Sequence, residues 1–147
     1  MLKNFNFKNL KKKNFSGIKL VGYAFRKTNL NQVTFLKSDL EKVDFWNADL
    51  DKTNFREATL NNCILSDTDL TKTIISKTTF LNSNLSHCNL NGLNLKNSTF
   101  KNVNLREATY DDKTIWPKKF DPTLYGAIKL KNKRNKIKSK KFNQFII

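Results

Sequence analysis

From Leu20 to Tyr110 every fifth residue is large and apolar, nineteen positions without an interruption. The series begins Leu20, Phe25, Leu30, Phe35, Leu40, Phe45 and ends Leu95, Phe100, Leu105, Tyr110. Period five fits neither common element. On an α-helix each step of five turns the side chain by about 140°, so no apolar stripe forms. On a flat strand an odd step sends successive residues to opposite faces. The chain must therefore bend once per repeat, always to the same side. A coil that keeps turning inward puts every fifth side chain on its axis, which predicts a β-solenoid.

Two residues before each centre stands a small side chain, as in Thr28, Val33, Ser38, Ala48, Thr53, Cys63 and Thr73; from Thr28 to Ala108 only Leu93 is bulky. A narrow interior packed to crystal-like density demands such a limited-volume position. The residue just before the centre is often Asn, Asp or Thr, whose side chains bond local backbone and suit repeated tight turns. Stacked positions should resemble one another. At a lag of twenty residues ten of fifteen centre pairs are identical, against three of sixteen at a lag of fifteen. Four segments per winding are favoured over three.

The pattern small–Asn/Asp–Leu/Phe–any–any, seen in Ala48-Asp49-Leu50-Asp51-Lys52 and Ala58-Thr59-Leu60-Asn61-Asn62, resembles that of the pentapeptide-repeat proteins. The resemblance implies an all-β fold, a right-handed quadrilateral β-helix, and a non-enzymatic structural or protein-interaction role. It covers about two thirds of the chain. On this reading residues 18–110 are the β-helix, and residues 1–17 are an imperfect first coil or basic N-terminal cap. Phe5, Leu10 and Phe15 keep the register there, while Lys3, Lys8 and Lys13 occupy the small column. A lysine cannot lie inside a closed coil without losing its hydration, but it can leave through an open end. Atypical polar ends also oppose end-to-end stacking.

Past Tyr110 the repeat breaks. Asp121-Pro122 reads as an N-cap followed by proline in a first helical turn. Leu124, Tyr125, Ile128 and Leu130 would form a short amphipathic piece that covers the last coil together with Trp116 and Phe120. Thr114, Trp116, Pro117, Phe120, Asp121, Pro122, Gly126 and Ala127 resemble the ending seen in pentapeptide-repeat proteins of photosynthetic bacteria. The expectation is a C-terminal cap with a short helix over 111–130, then a basic, unfolded tail over 131–147.

Net charge is +16, and its placement constrains function. Residues 1–30 hold eight Lys/Arg and no acid, residues 31–110 nine of each, and residues 111–147 eleven against three. The rod is neutral and both ends are basic. The resembled family includes acidic rods that imitate DNA and inhibit DNA gyrase. That role needs a carboxylate-dense surface, and this charge pattern argues against it. The tail residues Lys131, Lys133, Arg134, Lys136, Lys138, Lys140 and Lys141 suit polyanion contact, either nucleic-acid phosphates or an anionic membrane surface. They equally suit a solubilising tail.

Trp46 follows a centre and should point outward over Arg26, a cation–π pair that would mark a partner surface. His87 stands alone without ligand-spaced companions, so no zinc site is expected. The acids Asp39, Glu41, Asp44, Asp49 and Asp51 are interspersed with bases and read as a solvated face. No nucleophile–base grouping or glycine-rich phosphate loop occurs, which points away from an enzyme and from any cofactor. The two cysteines, Cys63 and Cys88, both fall in the small inward column and read as buried free thiols. A reducing, cytoplasmic setting is expected, with no apolar run long enough to span a membrane.

Overall fold

The computed structural model describes residues 3–131. The backbone winds about six times around one axis as a four-sided β-solenoid. One face is a five-stranded parallel sheet of β1 (Lys19–Val21), β2 (Asp39–Glu41), β3 (Thr59–Asn61), β4 (Thr79–Leu81) and β5 (Thr99–Lys101), paired in chain order. Leu20 lies opposite Leu40, Leu40 opposite Leu60, Leu60 opposite Phe80, and Phe80 opposite Phe100. The register is therefore twenty residues. The other three faces repeat it through single bridges such as Ala24–Asp44, Asn29–Asp49 and Thr34–Asn54.

The residue before each centre differs in kind between the sheet face and the other three. On the three bridged faces it is mostly Asn or Asp, and its side chain accepts the amide two residues on. Asn4, Asn14, Asn29, Asp44 and Asn54 do so toward Asn6, Ser16, Asn31, Trp46 and Arg56. That local bond competes with an extended ladder. On the sheet face the position holds Lys19, Asp39, Thr59, Thr79 and Thr99. Three of these are β-branched and suit a pleated surface. Asp39 is drawn instead to Lys19 at 3.3 Å.

The corners have one conformation. Two residues past each centre the backbone is left-handed, as at Lys27, Lys37, Lys52, Glu57 and His87, with φ between 50° and 58°. Gly17, Gly22 and Gly92 fill the same column. Lys72 and Asn97 alone in that column, between Phe7 and Glu107, lack a positive φ. Non-glycine residues tolerate this region at a cost, and closing each corner of the coil repeatedly imposes it.

Inside, the centres stack. Phe5, Phe25 and Phe45 form one column with ring separations of 5.4 and 5.5 Å; Phe15, Phe35 and Phe55 form another at 5.3 and 5.1 Å. The two columns meet edge to face, Phe45 against Phe55 at 5.6 Å. Such pairs contribute about 0.5–1.5 kcal/mol each beyond burial. The small column does more than save space. Thr28, Thr53, Thr78 and Ser83 donate their hydroxyls to the centre carbonyls of Phe5, Leu30, Phe55 and Leu60, twenty-three residues earlier. Each ties one winding to the previous one, and at Phe5, Leu30 and Phe55 it adds a second hydrogen bond to a carbonyl that already accepts the amide three residues on.

Residues 3–17 complete the first winding. Phe5, Leu10 and Phe15 donate to the carbonyls of Ala24, Asn29 and Thr34 at 2.7–2.9 Å. Their side chains are half-buried, and Lys3, Lys8 and Lys13 stand exposed. At the far end Ile115 takes a place beneath Asn94. Trp116 and Phe120 pack on Phe100 at 5.6 and 5.1 Å, and Ala127 is buried. The expected helix is one 3-10 turn, Pro122–Tyr125. Asp121 caps it by accepting the Thr123 amide, and Gly126 ends it with φ of 92°. A side chain there would place Cβ 2.9 Å from Arg106 Cα. Leu124, Ile128 and Leu130 do not cover the coil as expected: they are 81%, 49% and 41% exposed. One short turn cannot present an amphipathic face; of the expected amphipathic residues only Tyr125 joins the aromatic group, stacking on Phe120 at 4.9 Å. β6 (Thr109–Tyr110) and β7 (Ile128–Lys129) pair in parallel beside this turn.

The ladder fails at two places. No backbone hydrogen bond or bridge joins residues 49–52 to 69–72, or residues 73–77 to 93–97. Among the described residues no helix is long and apolar enough to cross a membrane.

Candidate interaction surfaces

Trp46 sits half-buried on the face carried by Phe25, Phe45 and Leu65. Its indole N–H donates to Asp67 Oδ2 at 2.8 Å. The cation over its ring is Lys27, with Nζ 5.1 Å from the centroid, and not Arg26 as the twenty-residue stacking suggests. The Arg26 guanidinium instead bonds the Asp44 carboxylate. A carboxylate within reach attracts a guanidinium more strongly than an indole face does. Lys27, at the corner, is left to lie over Trp46. The patch is thus a pinned set in which the indole already has a hydrogen-bond partner and a cation.

The N-terminal rim is different. Lys8, Lys11, Lys12 and Lys13 are exposed, and among the described residues none of them has an acidic partner. Lys3 is held by the Val21 carbonyl at 3.1 Å and lies over the Tyr23 ring. Among the described residues no backbone carbonyl accepts from the N–H groups of Asn4, Asn9 and Asn14. Amides and exposed ammonium groups together make this rim electropositive. The sequence placed its polyanion contacts in the tail. Of those, Lys131 is exposed, while Lys133, Arg134, Lys136, Lys138, Lys140 and Lys141 lie outside the described residues.

The acids adjacent in sequence are spread around the rod. Asp39 and Glu41 lie on the sheet face with Lys19, Asp44 on the next with Arg26, and Asp49 and Asp51 on the third, where Lys72 approaches Asp51 at 3.6 Å. No group of three metal-ligating side chains converges among the described residues. His87 faces Glu107 at 3.4 Å. Cys63 and Cys88 are buried and unpaired, their thiols directed at the carbonyls of Leu40 and Leu65 at 3.3 and 3.1 Å. Burial pushes their pKa values up, to about 12 and about 11. Thiols so protonated are poor nucleophiles.

The geometry agrees with the comparisons to known proteins. The family model for pentapeptide repeats matches in eight copies over residues 9–47, 38–76 and 80–109. Rfr23, a pentapeptide repeat protein from the cyanobacterium Cyanothece 51142, superposes with a TM-score of 0.71 at 22% identity, over 78% of this chain and 91% of its own. A pentapeptide repeat protein of the Arabidopsis thaliana thylakoid lumen is 27% identical over 82% of this chain and 74% of its own, with a TM-score of 0.40. QnrB1, a plasmid-mediated fluoroquinolone resistance protein, is 18% identical over 98% of this chain and 72% of its own, at a TM-score of 0.38. Comparison with curated proteins returned no match. With its repeats matched over well more than half its length, and wound as a four-sided coil, the chain belongs to the pentapeptide repeat family.

Proposed function

We propose that the protein is a non-enzymatic interaction module whose rigid outer faces present side chains to a protein partner. The observation that carries this is the filled interior. Phe25, Phe35, Phe45 and Phe55 are fully buried in stacked columns, which leaves the outside to do the work. Its surface groups are held in register by backbone pairing every twenty residues, which lowers the ordering cost of binding. Two buried, unpaired thiols support placement in the reducing cytoplasm. Affinity capture with the full chain, with Trp46→Ala, and with residues 131–147 removed tests the reading. A partner retained by the truncated chain and lost with Trp46→Ala supports a face-borne contact. Capture that depends only on the tail contradicts it.

A second reading has its own observation. The unpaired lysines of the first winding favour binding of a polyanion at the N-terminal end. A gel shift with single-stranded nucleic acid at ~50 mM salt should then weaken with added salt. It should weaken also when Lys8, Lys11, Lys12 and Lys13 are replaced by Gln. An unshifted band at low salt rules this reading out.

A further inference from the structure

We propose that residues 69–77 form a built-in joint of the solenoid, at which the rod opens to water along two adjacent faces. The segment changes neighbours halfway. Asp69 bridges to Asn89, and the Leu70 amide donates to the Asn89 carbonyl at 3.0 Å, so this stretch sits with the following winding. Ile74 bridges to Asn54 and donates to the Thr53 carbonyl at 2.9 Å, so the next stretch sits with the preceding one. The crossing falls at Lys72 and Thr73, and Lys72 lacks the left-handed corner that residues 27, 32, 37, 42, 47 and 52 all have.

Four features of the sequence converge on this place. The phenylalanine columns stop at Phe45 and Phe55, and the winding that follows is centred on Leu60, Leu65, Leu70 and Ile75, a smaller core. Leu93 is the bulky entry in the small column and is buried. Where a hydroxyl or thiol in that column would bond the carbonyl twenty-three residues earlier, Leu93 offers Leu70 none and props residues 93–97 away from 73–77. Asn97, on the same lip, is the other corner without a positive φ. Across the other seam the register sets Asp49 against Asp69, two like charges.

The seams are open slots. One, of about 160 Å3, is lined by Asp49, Asp51, Asp69, Thr71 and Lys72. The other, of about 240 Å3, is lined by Ile74, Ser76, Leu93, Asn94 and Asn97. Each has room for several waters, at about 30 Å3 apiece. Polar backbone on both lips requires them. The amides of Leu50 and Asp69 flank the first seam, and those of Ile75 and Asn94 the second. Their counterparts one winding earlier, at Leu30, Asp49, Phe55 and Ile74, donate to the next or previous winding at 2.9–3.0 Å. The joint is therefore a place where the windings part without breaking a backbone hydrogen bond while the Phe-filled stack stays closed.

Residue-resolved hydrogen exchange on the full chain tests this. The amides of Leu50, Asp69, Ile75 and Asn94 should exchange at least ~100-fold faster than those of Leu30, Asp49, Phe55 and Ile74. Leu93→Thr restores a small hydroxylated residue and should slow Ile75 and Asn94 at least tenfold, leaving Leu50 and Asp69 as they were. Asp69→Asn should do the reverse. Equal protection at the two sets of amides in the native chain overturns the joint. So does a folded Leu93→Thr variant with unaltered exchange at Ile75 and Asn94. Should that variant fail to fold, the native comparison and Asp69→Asn still decide.

Discussion

The windings through residues 18–60 and those through 65–98 are built from the same repeat yet hold together differently. In the first region phenylalanines stack above one another at 5.1–5.5 Å, and every face of the coil carries its ladder to the next. In the second the centres are mostly aliphatic, one small position holds Leu93, one face loses its backbone pairing and another loses it at the boundary with the first region. Axial stacking of large flat rings fixes the height of each winding. Where the rings end, the backbone pairing is missing beside Leu93. The repeat thus specifies the winding, and the volume of each layer decides how tightly adjacent windings join.

The largest expected effect separates the two regions on one face. Phe35→Ala removes a ring stacked on both sides and should cost about 3–5 kcal/mol. Ile75→Ala, beside a seam that can close over the space, should cost about 2 kcal/mol, at the low end for such truncations. Urea melts of both variants read the difference; equal losses would mean that the seam gives no room for relaxation.

Next in size is an alkaline effect from the two buried thiols. Their pKa values are raised by burial from 9.0 to about 12 at Cys63 and about 11 at Cys88. The folded state therefore holds these protons more tightly than the unfolded chain. That contribution is complete below pH 9 and is lost as pH rises from about 9 to 12. Melts across that range should show falling stability, less steeply in a Cys63→Ala, Cys88→Ala double variant. A parallel decline in both proteins would place the alkaline sensitivity elsewhere.

The smallest effect is a contrast at the corners. Lys52 has φ of 56°, where glycine is unstrained, so Lys52→Gly should be neutral or stabilising by up to about 1 kcal/mol. Lys72 has no positive φ, so Lys72→Gly only adds unfolded-state freedom and should destabilise by about 0.5–1 kcal/mol. Opposite signs in paired thermal melts support the difference between the regions, and like signs would remove it.

Much of the winding could be read from the chain. Period five and the twenty-residue recurrence of Leu and Phe led to four faces, and the Asn and Asp before the centres led to local backbone bonds. The small column was legible as a volume limit, but its hydrogen bonds were not. Valine and alanine share it with threonine, serine and cysteine, which hides the donors at Thr28, Thr53 and Ser83. The left-handed corners were masked by lysine and glutamate, although no β-branched residue stands in that column between Phe7 and Glu107. A lag of twenty puts Arg26 over Trp46, but the Asp44 carboxylate holds Arg26 and the cation over the ring is Lys27. Lys72 looks the same in sequence as Lys52. What separates them lies in the windings on either side, beyond the reach of a five-residue motif. The 3-10 turn was visible in Asp121, Pro122 and Gly126, but the exposure of Leu124 depends on how short the helix is.

Through-space proton contacts between backbones, measured by NMR on labelled protein, test the winding most directly. Leu40 should show contacts to Leu20 and Leu60, and Asp44 to Ala24 and Ile64, while Asp49 to Asp69 and Ile74 to Asn94 should be missing from the same spectra. Contacts at lags of fifteen residues, or an unbroken series that includes those two pairs, would contradict the account.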